Sequence, residues 1–578
     1  MAMKQWVVPA TDHARAQAFA RALGVSPLAA RVLLGRGIES PQAARAFLEP
    51  RMADLADPFA LPGMREAVAA VRSALRARAR IGIYGDYDVD GISGTAILAD
   101  LLRLFGAHVE TYVPHRLAEG YGLHRAGLDA LAERGVRLLI TVDCGTSSPQ
   151  EVAYARSRGM DVVVVDHHLP GARLPEAIVV NPMLGAGAAA GAAFREFASA
   201  GVALKLALAL CRGTHTSETM AQALSKFALR AMAFAALGTI ADVCPLTGEN
   251  RVIVRYGLDG LRACGHAGLR ALLEAARVDP GRVTPWDVAF RIAPRLNAVG
   301  RMGSASDALK VLLCADEEEA AALVRRLEEA NRRRQREGAR VYEQARARAQ
   351  EVRDAPAIVL GEEGWHVGVL GIVAARLVGE FARPVAVAGF DGPIGRGSVR
   401  APEPFHAKRL LERCGAALVE GGGHERAGGF VIERDRFGEF ARAFCGAAAE
   451  QAREGVPEPE LRLDGEVRLK ELSAGAVREL ERLGPFGEGN PEVLLAARGL
   501  RVLGRPQLVG RAQDTVAFLV EQDGVALRAV AFGRPEWWEP LAASESCALA
   551  FTPRIDAYRS RGPGREEVEL KVADVRFR

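Results

Sequence analysis

The sequence predicts an α/β protein: a parallel-sheet domain joined by a long helix to a second α/β unit, and then a small β-barrel. Three observations carry this reading. Between residues 80 and 182 the short runs RIGIYGDY, HVETYVP, RLLITVD, DVVVVD and AIVVNP alternate with helical stretches. Continuous apolar strands separated by helices belong to a parallel sheet covered on both faces. Residues 316–352, DEEEAAALVRRLEEANRRRQREGARVYEQARARAQEV, contain no proline and crowd acidic residues at the start and basic ones towards the end, as a helix dipole prefers. From about 460 the composition turns β-rich.

The elements follow in order. Residues 1–75 read as a helical segment, with Ser26 and Ser40 as N-caps, each followed by proline at the first helical position. Residues 76–314 hold the parallel sheet and then helices over 200–265 and 286–314. Residues 315–354 are the connecting helix, with Ala320, Leu323, Val324, Leu327, Ala330, Val341, Tyr342, Ala345 and Val352 at helical spacing and an arginine-rich solvated face. A second α/β unit occupies 355–457. In 458–578, TVAFLVEQDGVALRAVAF reads as a hairpin turning at Asp523-Gly524. About five short strands in that segment suggest a barrel of the OB type.

The 578 residues carry a net charge of +4, a mild basic bias that permits a polyanionic partner without requiring one. The eight cysteines are dispersed with no C-x-x-C pair, which argues against a zinc ribbon and for a reducing compartment. No signal-type start and no apolar run of membrane-spanning length is expected, the AMAFAALGTIADVCPL stretch breaking at Asp242. A soluble, cytoplasmic protein is the expectation.

The chemistry starts at IYGDYDVDGISG, where Asp86, Asp88 and Asp90 alternate and Gly91 follows. The spacing matches half of a calcium EF-hand loop, but Ile97 stands where the bidentate Glu is needed, and a β-type run precedes it. Other acidic or imidazole groups also end strands: Asp143 after LLITV, and Asp166, His167 and His168 after DVVVV. Ligands of open α/β sheets bind at the carboxyl ends of the strands, so these groups can converge on one crevice. Asp242, ending an apolar helical run, is expected to be buried. Carboxylates with imidazole and no thiolate suit Mn²⁺, Mg²⁺ or Zn²⁺, with Mn²⁺ fitting the mixed set. Two such ions are the arrangement that clamps an in-line phosphoryl displacement.

The ordered motifs DYDVDG, VDCG, VDHH and GTIADVCPL resemble those of the DHH phosphoesterase superfamily. VPHRLAEGYGL, APRLNAVGRMGS and LGPFGEGNPE resemble its RecJ branch of single-strand-specific exonucleases, over roughly residues 50–578. The resemblance implies a DHH catalytic domain, a DHH-associated domain and an OB-fold domain. It further implies that Asp88, Asp90, Asp143, His167 and Asp242 ligate two Mn²⁺ or Mg²⁺ ions, with Asp143 bridging and Asp86 and His168 as close neighbours, either further ligands or groups that support the ligands. Superfamily pyrophosphatases carry a ligand His where this chain has Tyr84. Arg116, Arg301, Ser398 and Arg400 are implied to cradle a 5′-phosphate, small residues near Ser398 letting backbone N–H groups approach an anion. His424, in GGGHERAGGF, is implied to face the metal site from the DHH-associated domain.

On the barrel, Phe518, Phe532, Phe551 and Tyr558 with Arg528, Arg534, Arg554 and Arg559 are candidates for a single-strand track. The function expected is 5′→3′ exonucleolytic release of mononucleotides from single-stranded DNA in repair and recombination. The alternatives are a DHH-family phosphatase or oligoribonuclease, whose relatives stop after two domains, and an inactive DNA-binding scaffold of the same fold. Single-strand-binding protein and a repair helicase are partners implied by family, and a monomer is expected.

Overall fold

The computed structural model describes residues 4–10, 12–116, 118–184, 194–213, 217–263, 265–453, 460–556 and 567–577. The chain forms two compact units. One combines Met1–Ala56, Val243–Arg255 and Glu458–Arg578; the other combines Asp57–Asp242 and Tyr256–Pro457.

The chain opens with β1 (Gln5–Val7), then α1 (His13–Leu23), α2 (Pro27–Gly35) and α3 (Pro41–Leu48). Ser26 and Ser40 cap α2 and α3, their hydroxyls accepting from the Ala29 and Ala43 amides, with Pro27 and Pro41 opening the helices. β1 was not expected in a helical segment. Its partner, a strand at Glu460–Arg462, lies more than 450 residues away, so no local pattern signals it.

In the central unit, α4 (Met64–Arg76) leads into β2 (Arg80–Gly85), α5 (Val89–Leu104), β3 (Val109–Tyr112), α6 (Arg125–Glu133), β4 (Val136–Val142), α7 (Pro149–Ser157), β5 (Asp161–Val165) and β6 (Ile178–Val180). The sheet order is β3-β2-β4-β5-β6, all parallel. The register decides the site. Gly85 pairs with Val142 and Val142 with Val165, so the next residues, Asp86, Asp143 and Asp166, stand at one level of three neighbouring strands. Their amides continue the ladder onto Val142 O, Val165 O and Val180 O at 3.0–3.2 Å. Neighbouring strands lie about 4.8 Å apart, which sets the spacing of these carboxylates.

Helices Ser199–Cys211 and Glu218–Ala241 pack against α5 on one face of the sheet. Glu218–Ala241 is, contrary to expectation, long and apolar enough to cross a membrane by composition, but 61% of its apolar window is buried inside the unit. A π-turn at Val288–Ile292 precedes the helix Ala293–Met302. The 35-residue helix Glu317–Glu351 is capped by Asp316 and buries Ala320, Leu323, Val324, Leu327, Val341 and Ala345; Ala330 and Tyr342 are only half-buried, and Val352, past the last turn as the C-cap, is exposed. Beyond it, β7 (Ile358–Glu363), β8 (Val385–Asp391), β9 (Ile394–Arg400), β10 (Glu420–Gly423) and β11 (Ala427–Glu433) form a mixed sheet in the order β10-β11-β9-β8-β7.

In the terminal unit, β12 (Glu460–Arg462) holds β1. There follow β13 (Gly465–Glu466), β14 (Leu495–Val509), β15 (Thr515–Gln522), β16 (Val525–Ala531), β17 (Ser546–Ile555) and β18 (Val568–Phe577). The order β14-β15-β16-β18-β17 closes through β14–β17 pairing into a five-stranded barrel. Asp523 and Gly524, both at positive φ (53° and 82°), make the expected hairpin turn. LGPFGEGNPE is a knot inside this unit: Asn490 Nδ2 donates to Leu483 O and Pro485 O, and the Leu246 amide donates to Glu488 O.

One core joins Leu28, Val32 and Leu33 of α2 to Val477, Leu480, Leu495, Phe518 and Phe551, so the N-terminal helices are part of the barrel's unit. Leu33 is fully buried there. Leu33→Ala is therefore expected to cost about 2–5 kcal/mol. Amide hydrogen exchange should report it as faster exchange in β14 and β17.

Candidate metal centre and phosphate site

Asp86 is buried, and its Oδ1 reaches no hydrogen-bond partner. The Gly91 backbone presses on it so closely that a Cβ at Gly91 would lie 2.6–2.8 Å from Asp86 backbone atoms. Asp88 is the N-cap of α5, with Oδ1 accepting from the Asp90 and Gly91 amides at 2.9 and 3.2 Å. Asp90 is held differently. Its two oxygens accept from the Ser199 and Ala200 amides, at the start of the helix Ser199–Cys211, at 2.7 and 2.8 Å. A helix N-terminus favours a carboxylate there. Gly238 lets the helix Glu218–Ala241 approach, since a Cβ there would sit 2.6 Å from Asp90 Oδ1.

Asp143 adopts a left-handed φ of +65°, uncommon for a non-glycine residue and tolerated best by Asp and Asn. Its Oδ1 accepts from Ser199 Oγ at 2.9 Å and lies 3.5 Å from His167 Nε2. His167 Nε2 also lies 3.7 Å from Asp242 Oδ2. These separations are too long for good hydrogen bonds. Asp242, the C-cap of Glu218–Ala241, is not buried as expected: its side chain is 31% exposed, because it stands beyond the last helical turn.

Asp166 organises the DHH segment. One oxygen accepts from the His167 and His168 amides and from His168 Nδ1 (2.8 Å), the other from the Thr146 amide. Burial works to raise Asp166, yet His168 and Thr146 hold its pKa well below the usual carboxylate range. Burial disfavours a charge on His168, but the bond to Asp166 and that carboxylate's charge raise its pKa overall. Tyr121 donates to Asp143 O at 3.1 Å and its hydroxyl lies 3.2 Å from His168 Nδ1. Ser199 and Tyr121 escaped the sequence reading, because neither belongs to a strand-end carboxylate or histidine. Tyr84 is a core residue, its hydroxyl on Gly122 O and its ring against Tyr112.

The electrostatics are those of a site built for cations. Burial, and then neighbouring carboxylates, push Asp86 and Asp143 well above the normal range and Asp90 up to about 7. Ligand atoms of Asp86, Asp88 and Asp143 lie within 4.8 Å of one another, as do those of Asp143, His167 and His168. An orphaned buried carboxylate oxygen and an all-O/N donor set fit hard divalent ions.

Beside this anionic cluster stands a cationic one. Arg116 stacks over the Tyr87 ring at 4.6 Å, and its charge opposes the upward push on Asp86. Arg301 donates to Gly368 O; burial, then Arg116, Arg334 and Arg400, push its pKa down to about 9. Burial and Arg116 lower Arg400 as well, and its Nη1 donates to Ser398 Oγ at 2.9 Å. These half-buried guanidiniums repel one another. His424 instead lies exposed between β10 and β11, and no hydrogen bond or ion pair of its ring is among the described contacts of the acidic cluster.

If cations relieve the carboxylate repulsion, Mn²⁺ added to chelator-treated protein should raise the melting temperature by several degrees. Asp143→Asn keeps the shape and tolerates the backbone, so the variant should melt at or above the wild type without Mn²⁺ and lose the Mn²⁺ shift. Thermal melts with and without Mn²⁺ check both halves.

Residues 80–236 match the DHH family N-terminal domain, 354–450 the DHHA1 domain and 463–574 the RecJ OB domain. The single-stranded-DNA-specific exonuclease RecJ of Bacillus subtilis is 32% identical over 99% of this chain and 70% of its own length. That of Thermus thermophilus is 39% identical over 83% and 69%, and that of Dickeya dadantii 34% over 94% of each. The crystal structure of Thermus thermophilus RecJ in complex with Mn²⁺ superposes with a TM-score of 0.82 and 33% identity, covering 99% of this chain and 79% of that one. The Mg²⁺ complex gives a TM-score of 0.76 at 31% identity. The chain thus belongs to the RecJ family of single-stranded-DNA-specific exonucleases.

Proposed function

We propose that the protein is a divalent-metal-dependent exonuclease that removes mononucleotides from the 5′ end of single-stranded DNA. The observation that carries this is the juxtaposition of a buried carboxylate–imidazole cluster with a half-buried arginine cluster, Arg116 stacking on Tyr87 and sensed electrostatically by both Asp86 and Arg301. Asp86, Asp88, Asp90, Asp143, His167 and Asp242 would hold two Mn²⁺ or Mg²⁺ ions, which would neutralise charge at the scissile phosphate.

The chain's own groups do the rest. Arg116, Arg301, Arg400 and Ser398 receive the terminal phosphate, which places the first phosphodiester at the carboxylates and sets the 5′→3′ direction. Guanidinium forks suit a dianionic terminal phosphate with three exposed oxygens. Asp166 fixes Nδ1 of His168, so that this imidazole keeps its orientation and its proton beside the reacting phosphate. His424 is assigned to substrate contact from the second sheet. In domain terms, 76–314 is the catalytic domain, 315–354 its connecting helix, 355–457 the DHH-associated domain and 458–578 the single-strand-binding barrel.

The full acidic set favours an active enzyme over an inactive scaffold, and the barrel favours polymeric DNA over a phosphatase or oligoribonuclease substrate. A cytoplasmic monomer acting with a repair helicase and single-strand-binding protein completes the reading.

The decisive assay uses single-stranded and duplex DNA labelled at either end, with Mn²⁺, Mg²⁺ or chelator. Label at the 5′ end should leave first as mononucleotide, only from single strands and only with metal. Release from the 3′ end or from blunt duplex at equal rate would overturn the assignment. Arg400→Ala should slow digestion of 5′-phosphorylated strands at least tenfold more than that of 5′-hydroxyl strands; parallel rate measurements on both substrates check it.

A further inference from the structure

The terminal unit contains a cavity of about 480 Å³ lined by Thr515, Arg528, Phe532, Arg554, Asp556 and Glu569, among others. It opens beside the β14–β15 connection and the end of β17, next to the third barrel strand β16. OB barrels take oligonucleotides on this face and between these loops. Of the aromatic candidates, Phe518 and Phe551 on β15 and β17 are core, 4% and 0% exposed, whereas Phe532, in the turn just after β16 and not on a strand as expected, is 50% exposed at the cavity. Tyr558 and Arg559 lie outside the described residues.

The charges in this cavity are balanced and locked. Glu569, nearly fully buried, accepts from Arg554 Nε at 2.9 Å through one oxygen and from Arg528 Nη1 at 2.7 Å through the other. Arg528 also lies 3.6 Å from buried Asp556. Two carboxylates against two guanidiniums leave no surplus for a phosphate. The Arg554 guanidinium, so anchored, sits 5.1 Å from the Phe532 ring centre. An exposed ring braced by a cation, at the mouth of a neutral cavity with hydrogen-bonding walls, matches a flat, uncharged, polar-edged ligand.

We propose that this cavity is a nucleobase subsite, in which one unpaired base of the substrate strand stacks on Phe532 beside Arg554. The inference rests on the single-strand reading above and names where the barrel grips the strand: by base stacking, whereas the catalytic unit grips by phosphate. Duplex DNA, with its bases stacked on one another, cannot offer a base to such a site.

The test measures affinity of the full chain for single-stranded oligonucleotides in chelator, where no cleavage occurs. Phe532→Ala should weaken binding roughly tenfold, the effect of losing one stacked base, with the salt dependence unchanged because no phosphate contact is lost. Phe532→Trp should restore it. Scanning a single abasic position along the oligonucleotide should find a site that weakens wild-type binding and leaves Phe532→Ala indifferent. Wild-type affinity in Phe532→Ala, or undiminished abasic sensitivity in that variant, would overturn the subsite. Absence of single-strand binding and digestion by the wild type would instead overturn the functional reading on which it stands.

Discussion

Placing several carboxylates at one level of a parallel sheet, out of water, is the constraint around which the central unit is built. Charges a few ångströms apart in a medium of low effective dielectric repel by several kcal/mol. The unit holds them with partners that leave one face of the cluster open. Backbone amides take Asp88 and Asp90, Ser199 takes Asp143, and the two amides and imidazole of the DHH segment take Asp166. The glycines follow from the same demand: a Cβ at Gly91 would press on the Asp86 backbone, and one at Gly238 on Asp90 Oδ1.

The arginine cluster is the mirror of that arrangement. Arg301 and Arg400 are half-buried, repel Arg116 and each other, and among the described residues donate to neutral acceptors, Gly368 O, Val399 O and Ser398 Oγ. In the function proposed above, divalent ions on one side and a terminal phosphate on the other would satisfy the two clusters together.

The terminal unit answers a different problem. A five-stranded barrel is small; its core is completed by helices from the first fifty residues, and the segment 243–255 belongs to the same unit. Arg251 is buried with two of its nitrogens on Phe47 O and Gly484 O and its guanidinium 3.8 Å from the Phe47 ring centre. Burial drops its pKa to about 10, which still leaves it charged near neutrality. Three stretches remote in sequence are thereby tied into one body.

The sequence by itself determined the five strands of the parallel sheet, the connecting helix, the capped helices at Ser26 and Ser40, the Asp523-Gly524 hairpin and the residue types of the site. Each is written in local periodicity, turn chemistry or strand-end composition, which depend on neighbours in the chain. Only the tertiary structure decided the rest. Strand register set Asp86, Asp143 and Asp166 level, and helix packing gave Asp90 to an N-terminus and left Asp242 half open. The β1–β12 pairing annexed the N-terminal segment to the barrel, and burial sorted Phe532 from Phe518 and Phe551. The physical reason is common to all of these: they are relations between residues far apart in the chain, and no short-range preference of the backbone encodes a long-range distance.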